Sequence, residues 1–462
     1  MDAPISPASA SVVEPVRSNS EKTQLSKWHQ AGILTSAFVI NCTAGGILFS
    51  FGIYQALYES MSSSSDTDNP FAGSSPAQIG IIGSLSGSMM AICAPFAVAW
   101  AKHFNPRAVI CAGGLLFGLS NILASFGTTV WHFQLSQGLL LGIAECLSYL
   151  PSMAVAPTWF SAHRGVAIGT ISAGTGIGGL IWSPITTACI DRFGFRDTLR
   201  LTGALSAVLI FAAGFVLRWE PSMVPELQAD KDALSLAQKV YRVPLPTREL
   251  AKQRKFIGQA LGAAFQGAAY YIPTFFLAAY ARTLRYSDQD GSKFITVNNA
   301  CNAIGKITIG LIADRLGRLN TMCLSTSVTV LSLGLWISST VIGQTDQAIA
   351  RSLFISFTVF YGLFASSYVS LFSPTLVELF GRRQLPFTTG FMYLVQGLTA
   401  LAGTPIAGVL AGSNGNLTTS FNYLGVSLWV GGLLFATSVT TIWVRIEAAA
   451  GRKHGQSNSW KL

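Results

Sequence analysis

Twelve mostly apolar stretches alternate with short polar breaks along the chain of 462 residues. Each approaches the roughly 20 residues that one helical bilayer crossing needs. The pattern predicts spans near 32–57, 77–100, 109–127, 131–153, 165–188 and 198–217, then near 256–280, 294–313, 321–342, 351–374, 386–410 and 423–444. The longest polar interval between spans, "RWEPSMVPELQADKDALSLAQKVYRVPLPTRELAKQRK", falls after the sixth. The expectation is an all-α membrane protein of two six-helix bundles, at 27–217 and 256–446, around a loop at 218–255. A Ser-, Pro- and Ala-rich tail at 1–26 lacks the apolar core of a signal peptide and reads as disordered, and a second tail covers 447–462.

Composition sharpens this picture. Half the residues are hydrophobic and 11% are charged, against about 25% charged in soluble domains, which argues against a soluble globular enzyme. The net charge of +10 comes in short clusters between apolar runs. No basic stripe interleaved with aromatics appears, so nucleic acid is not an expected partner. With the N-terminus placed inside, inner segments hold 22 Lys and Arg and outer loops hold 7, which predicts cytoplasmic termini. The cell membrane is a separate expectation for its location. Asn416, in Asn416-Leu417-Thr418, is a glycosylation sequon in the last outer loop, whereas Asn41-Cys42-Thr43 lies inside a span.

Enzyme chemistry is not encoded in any recognisable motif. The seven cysteines lie within apolar runs without paired spacing, and the five histidines are dispersed, so neither a disulfide framework nor a metal or other cofactor is expected. There is no G-x-x-x-x-G-K-[ST]. "GTGIGG" at 174–179 lies inside a span with no strand before it, which excludes a dinucleotide fold.

Polar residues inside spans are the candidates for function. Lys306 lies eight residues before Asp314, about 12 Å along a helix, deep in a core about 30 Å thick. It either draws an anionic substrate or holds helices together. Asn298, Asn302 and Lys306 repeat at four-residue intervals on one face, with Asn299 beside it. Glu145, in "LGIAECLSYLP", reads as a proton carrier, a substrate contact, the partner of Lys306 or a structural carboxylate. Tyr270, Tyr271 and Phe275 flank Pro273 and shape a site, a hinge or simply the core. Gly165, Gly169, Gly174 and Gly178 permit close helix contact, and a helix–helix hydrogen bond is expected of Gln396.

The stretch "GLIADRLGR" at 310–318 resembles the G-x-x-x-D-R-x-G-R loop signature of the major facilitator superfamily. The resemblance implies a gate loop built from Gly310, Asp314, Arg315, Gly317 and Arg318, with Asp314 facing the start of the eleventh span. A degenerate first-half copy is "AWAKHFNPR", and "WFSAHRGVAIGT" similarly parallels "LFGRRQLPFTTG", a faint parallel repeat of the two halves. "SFGIYQALYE", "TWFSAHRGVAIGTISAGTGIGG", "YYIPTFFLAAYA" and "LAGTPIAGVLAG" are similar to the monocarboxylate-porter group, its fungal branch above all. Animal members have lysine where Phe49 aligns, and Asp and Arg where Asn302 and Lys306 stand. The resemblance implies a secondary transporter that moves a small organic anion by alternating access, with possible proton coupling. An exporter of a secondary metabolite and a non-transporting nutrient receptor are the rival expectations.

Overall fold

The computed structural model describes residues 27–62, 69–160, 164–221, 224, 235–241, 246–381, 384–412 and 419–452, and among these there is no strand. Asn416 lies outside them. Twelve helical rods follow in chain order. The first half comprises α1 (Lys27–Ser62), α2 (Pro76–Ile92 with Ala94–His103), α3 (Pro106–Ser125), α4 (Val130–Val155), α5 (164–193) and α6 (195–216). The second comprises α7 (Arg254–Ala269 with Ile272–Thr283), α8 (Asp288–Leu316), α9 (Arg318–Ile342), α10 (Gln347–Phe380), α11 (Leu385–Gly412) and α12 (Leu424–Arg452).

Eight helices among the described residues are long and apolar enough to cross a bilayer, nine with the bent pair of α2. Three features explain why that number falls short of the rods. The helical run Arg164–Val216 contains a break at Gly194, whose φ of 76° and ψ of 166° belong to a region open essentially to glycine alone. The chain reverses there: Gly174 and Gly178 climb alongside Phe38 and Cys42 of α1, and Val216 has returned to Gly32. In α7, Tyr270 and Tyr271 interrupt the helix ahead of Pro273. The Tyr361 hydroxyl donates to the Tyr270 carbonyl at 2.9 Å, satisfying a backbone group at the break. In α8 the asparagines and Lys306 lower the hydropathy.

Gly317 links α8 to α9 and Gly381 links α10 to α11 in nearly the same conformation as Gly194. "DRFG" at 191–194 therefore repeats the role of "DRLG" at 314–317. Sequence comparison of the second and eighth spans passes over this pair.

The outer rods α3, α6, α9 and α12 expose apolar residues such as Leu119, Val208, Leu331 and Phe435, as a lipid-facing surface requires. Indole groups bind backbone carbonyls at the face where α1 begins, here called the terminal face. Trp159 donates to Arg218, Trp219 to Ala101, and Trp100 to Val240 of the central segment. This is the amphipathic role of tryptophan at a membrane boundary.

The two bundles meet along α1/α7, α2/α11 and α5/α8. The last two seams are built alike. Gly174 and Gly178 of α5 pack on α1, so tightly that a Cβ on Gly178 would lie 1.9 Å from the Cys42 carbonyl oxygen. The next face of α5, Gly176 and Gly179, packs on Ala303 and Asn299 of α8. In α11, Gly403 meets the Ala268 carbonyl of α7, while Gly397 and Gly408 meet α2 at Ser88, Ile92 and Ala77. Each seam helix thus presents one small-residue face to its own bundle and one to the other. The close contact expected of the α5 glycines is present at Gly174 and Gly178 but not at Gly169, which faces open space.

Candidate functional site

Lys306 sits on the α8 face that meets α5 and is 3% exposed. Its Nζ donates to Thr175 Oγ1 and lies 5.4 Å from the centre of the Phe49 ring. Thr175 gives its own proton to the Ser172 carbonyl at 3.0 Å, which leaves its lone pairs for the ammonium group. Among the described residues no carboxylate pairs with Lys306; the ion pairs are Arg200–Asp197, Arg254–Glu447 and Lys293–Asp290.

Aromatic rings cover one side of this cation. Phe49 packs against Tyr270 at 6.1 Å and Tyr271 at 6.2 Å between ring centres. Tyr271 stacks on Phe275 at 5.6 Å, and Phe275 meets Phe51 at 5.3 Å. The α7 break places Tyr270 and Tyr271 at this point, and Gly87 of α2 makes room for the Tyr271 ring.

The three asparagines diverge. Asn302 faces the Tyr270 hydroxyl across the α7–α8 contact. Asn299, expected beside the stripe, is the one on the seam: its Nδ2 donates to the Phe49 carbonyl at 3.4 Å and its side chain abuts Gly179. Asn298 packs against Gly362 of α10 inside the second bundle. Four-residue spacing drifts round a helix of 3.6 residues per turn, so the single polar face is shared among three neighbours.

Glu145 on α4 is 1% exposed. Ser86 of α2 donates to its Oε2 at 3.1 Å, and Oε1 has no partner. It lies within electrostatic range of Tyr271. Glu145 does not bond to Lys306, so the pairing considered from sequence is corrected. The two charges belong to opposite bundles, and the α7 aromatics stand beside both.

Two further expectations change. Asp314, Arg315 and Arg318 are exposed and make no ion pair among the described residues. Gly310 faces open space rather than a neighbouring helix. Close contact between α5 and α8 occurs at Gly176 and Ala303, and toward the terminal face neither Gly169 nor Gly310 has a neighbour. Gly317 keeps its turn, with φ of 91°. The Gln396 side chain is half-buried and makes no hydrogen bond among the described residues, while its carbonyl lies under Gly267.

Sequence reasoning misses the groups that close the far end. Arg282 of α7 donates to the Ala56 carbonyl of α1 at 2.8 Å, and the buried Glu59 accepts from Gln55 at 3.0 Å. A carboxylate one turn from the end of a span looks like an ordinary rim residue, and only tertiary packing buries it. A lysine at this depth needs an aqueous cavity or an internal partner; in this conformation it has the internal partner, Thr175, with the Phe49 ring beside it.

A model of the Major Facilitator Superfamily matches residues 33–301 and 260–459. An MFS-type transporter of Gibberella moniliformis is 26% identical, covering 87% of this chain and 88% of its own. The agnestins efflux protein of Paecilomyces divaricatus is 24% identical over 91% of this chain and 88% of its own. Monocarboxylate transporter 13 of Bos taurus is 25% identical over 86% and 87% respectively.

Proposed function

The chain belongs to the Major Facilitator Superfamily, and from that premise we propose that this membrane transporter carries a small organic anion held by Lys306. The observation behind the proposal is a buried ammonium on the seam between the bundles with only a neutral hydroxyl as acceptor. An intramembrane cation without a counter-ion suits an anionic cargo. A buried amide oxygen on the same seam without a partner, the Asn299 Oδ1, supports a polar ligand. Buried polar groups are ordinarily paired.

Alternating access proceeds by one bundle rocking against the other around a central site. The Lys306–Thr175 and Asn299–Phe49 contacts both cross between bundles, so rocking would break them and free the cation. Glu145 is the proton carrier in this proposal, on α4 rather than on α8 where Asn302 replaces the acid of the animal monocarboxylate group. Its free Oε1 can accept a proton and Ser86 holds the other oxygen. Asp314, Arg315 and Arg318 form the cytoplasmic gate in the conformation closed on that side.

The aromatic group Phe49, Tyr270, Tyr271 and Phe275 favours a second reading of the cargo. Ring faces beside a cation fit an aromatic carboxylic acid better than a short aliphatic one. Proteoliposome uptake and counterflow with labelled short monocarboxylates, and in parallel with aromatic acids, test both readings. Saturable flux of either class supports an anion carrier. Anion-independent behaviour with every acid would contradict it.

A further inference from the structure

A second basic site lies far from the seam, at the terminal face of the first bundle. The start of α1, the start of α3 and the end of α6 border an open cavity of about 290 Å³ lined by Trp28, His29, Gly32, Arg107, Val216 and Arg218. That is close to the lower size of small-molecule sites, about 300 Å³. Among the described residues no acidic side chain lines it. Arg218 is held in place by stacking on Trp159, with its guanidinium carbon 5.5 Å from the ring centre. The Arg107 Nε is buried and has no hydrogen-bond partner. Two guanidinium groups thus line the same cavity, and guanidinium is the side chain best suited to phosphate oxygens.

The surroundings indicate where such a phosphate would come from. Trp28 is 87% exposed at the rim, as an indole at headgroup level would be. Along α6, away from the cavity, Val208, Phe211 and Phe215 are exposed at three- and four-residue spacing, a continuous apolar track. Charge at the mouth and an apolar track leading away match a lipid with a phosphate head and acyl tails. A free phosphate would use the first feature alone.

We propose that this cavity binds the phosphate headgroup of an anionic membrane lipid, with Arg107 and Arg218 as its ligands and α6 as the seat of an acyl chain. The site is independent of the transport pathway, and its test does not require knowledge of the cargo. The full-length purified protein would be examined by native mass spectrometry and thermal melting with short-chain phosphatidic acid, short-chain phosphatidylcholine and inorganic phosphate. Phosphatidic acid should give a saturable adduct and raise the melting temperature, and phosphatidylcholine should do neither. The Arg107→Gln/Arg218→Gln double variant should weaken phosphatidic acid binding at least tenfold, Arg107→Lys/Arg218→Lys should restore part of it, and Lys293→Gln on the opposite face should leave it unchanged. The unliganded melting temperature of the double variant, compared with that of the parent protein, separates lost binding from lost folding. Undiminished binding in a folded double variant, or equal binding of phosphatidylcholine, would overturn the proposal. Protection by inorganic phosphate at the same concentration would overturn the assignment to lipid.

Discussion

Lys306 on α8 and Thr175 on α5, 131 residues apart in sequence, share a hydrogen bond across the junction of the two bundles. The lysine has no stronger acceptor, so this bond and the Phe49 ring are what the protein offers in place of an anion.

Thr175→Val removes the acceptor and retains the shape. A hydrogen bond to a charged group contributes about 1.5–3 kcal/mol, so the closed seam should be weakened by about tenfold or more. Faster amide hydrogen exchange in 172–183 and 295–306, with the rest of α5 and α8 unchanged, is the expected readout. Unaltered exchange would show that the seam closes without this bond.

The α5 glycine ladder predicts a sharp contrast between neighbours. Gly178→Val would drive a side chain into the Cys42 carbonyl, and overpacking of this kind costs about 1–3 kcal/mol or more. Gly169→Ala has open space before it and should be neutral. The yield of folded protein by fluorescence size-exclusion chromatography would fall severely for the first and hold for the second.

At Gly194 the constraint is the backbone. Gly194→Ala forces a side chain into a conformation reserved for glycine, at about 1–3 kcal/mol, although nothing lies within 4 Å of the new Cβ. The melting temperature should drop while the Gly169→Ala protein melts normally. Equal melting would mean that the α5–α6 turn relaxes to a different shape.

Much of the architecture is legible in the sequence because bilayer crossing imposes a length and a composition on each helix. The α7 and α8 spans are legible only as weaker signals, since the same polar residues that mark the site dilute their hydropathy. Lys306 stands out by its charge alone. Thr175 does not: a threonine among glycines carries no mark until α5 is packed against α8. The same is true of Asn299, which four-residue spacing puts beside the polar face but packing puts on the seam. Gly317 takes the positive φ of a tight turn, as a glycine between two helices suggests, while the surroundings of Gly310 depend on how the helices are tilted, which local sequence does not encode.

Glu145→Gln should separate coupling from carriage. With the carboxyl replaced by an amide, uptake driven by an imposed proton gradient is expected to fall about tenfold or more, while exchange of labelled for unlabelled cargo continues. Retention of gradient-driven uptake would remove Glu145 from the proton path.

Arg282→Ala removes the guanidinium that reaches the Ala56 carbonyl at the face opposite the termini. Loosening that closure should raise the reactivity of a cysteine introduced at Ser50, in a background with the seven native cysteines replaced, toward a hydrophilic maleimide added from that side. No change in labelling would mean that aromatic packing alone keeps the end shut.

The account rests most directly on the charge of Lys306, and the measurement is anion flux into proteoliposomes by Lys306→Ala, with reconstitution checked by protein content and orientation. At least a tenfold loss of saturable flux, with normal insertion and folding, is the predicted result. Flux equal to that of the parent protein would contradict the assignment of Lys306 as the anion-binding group.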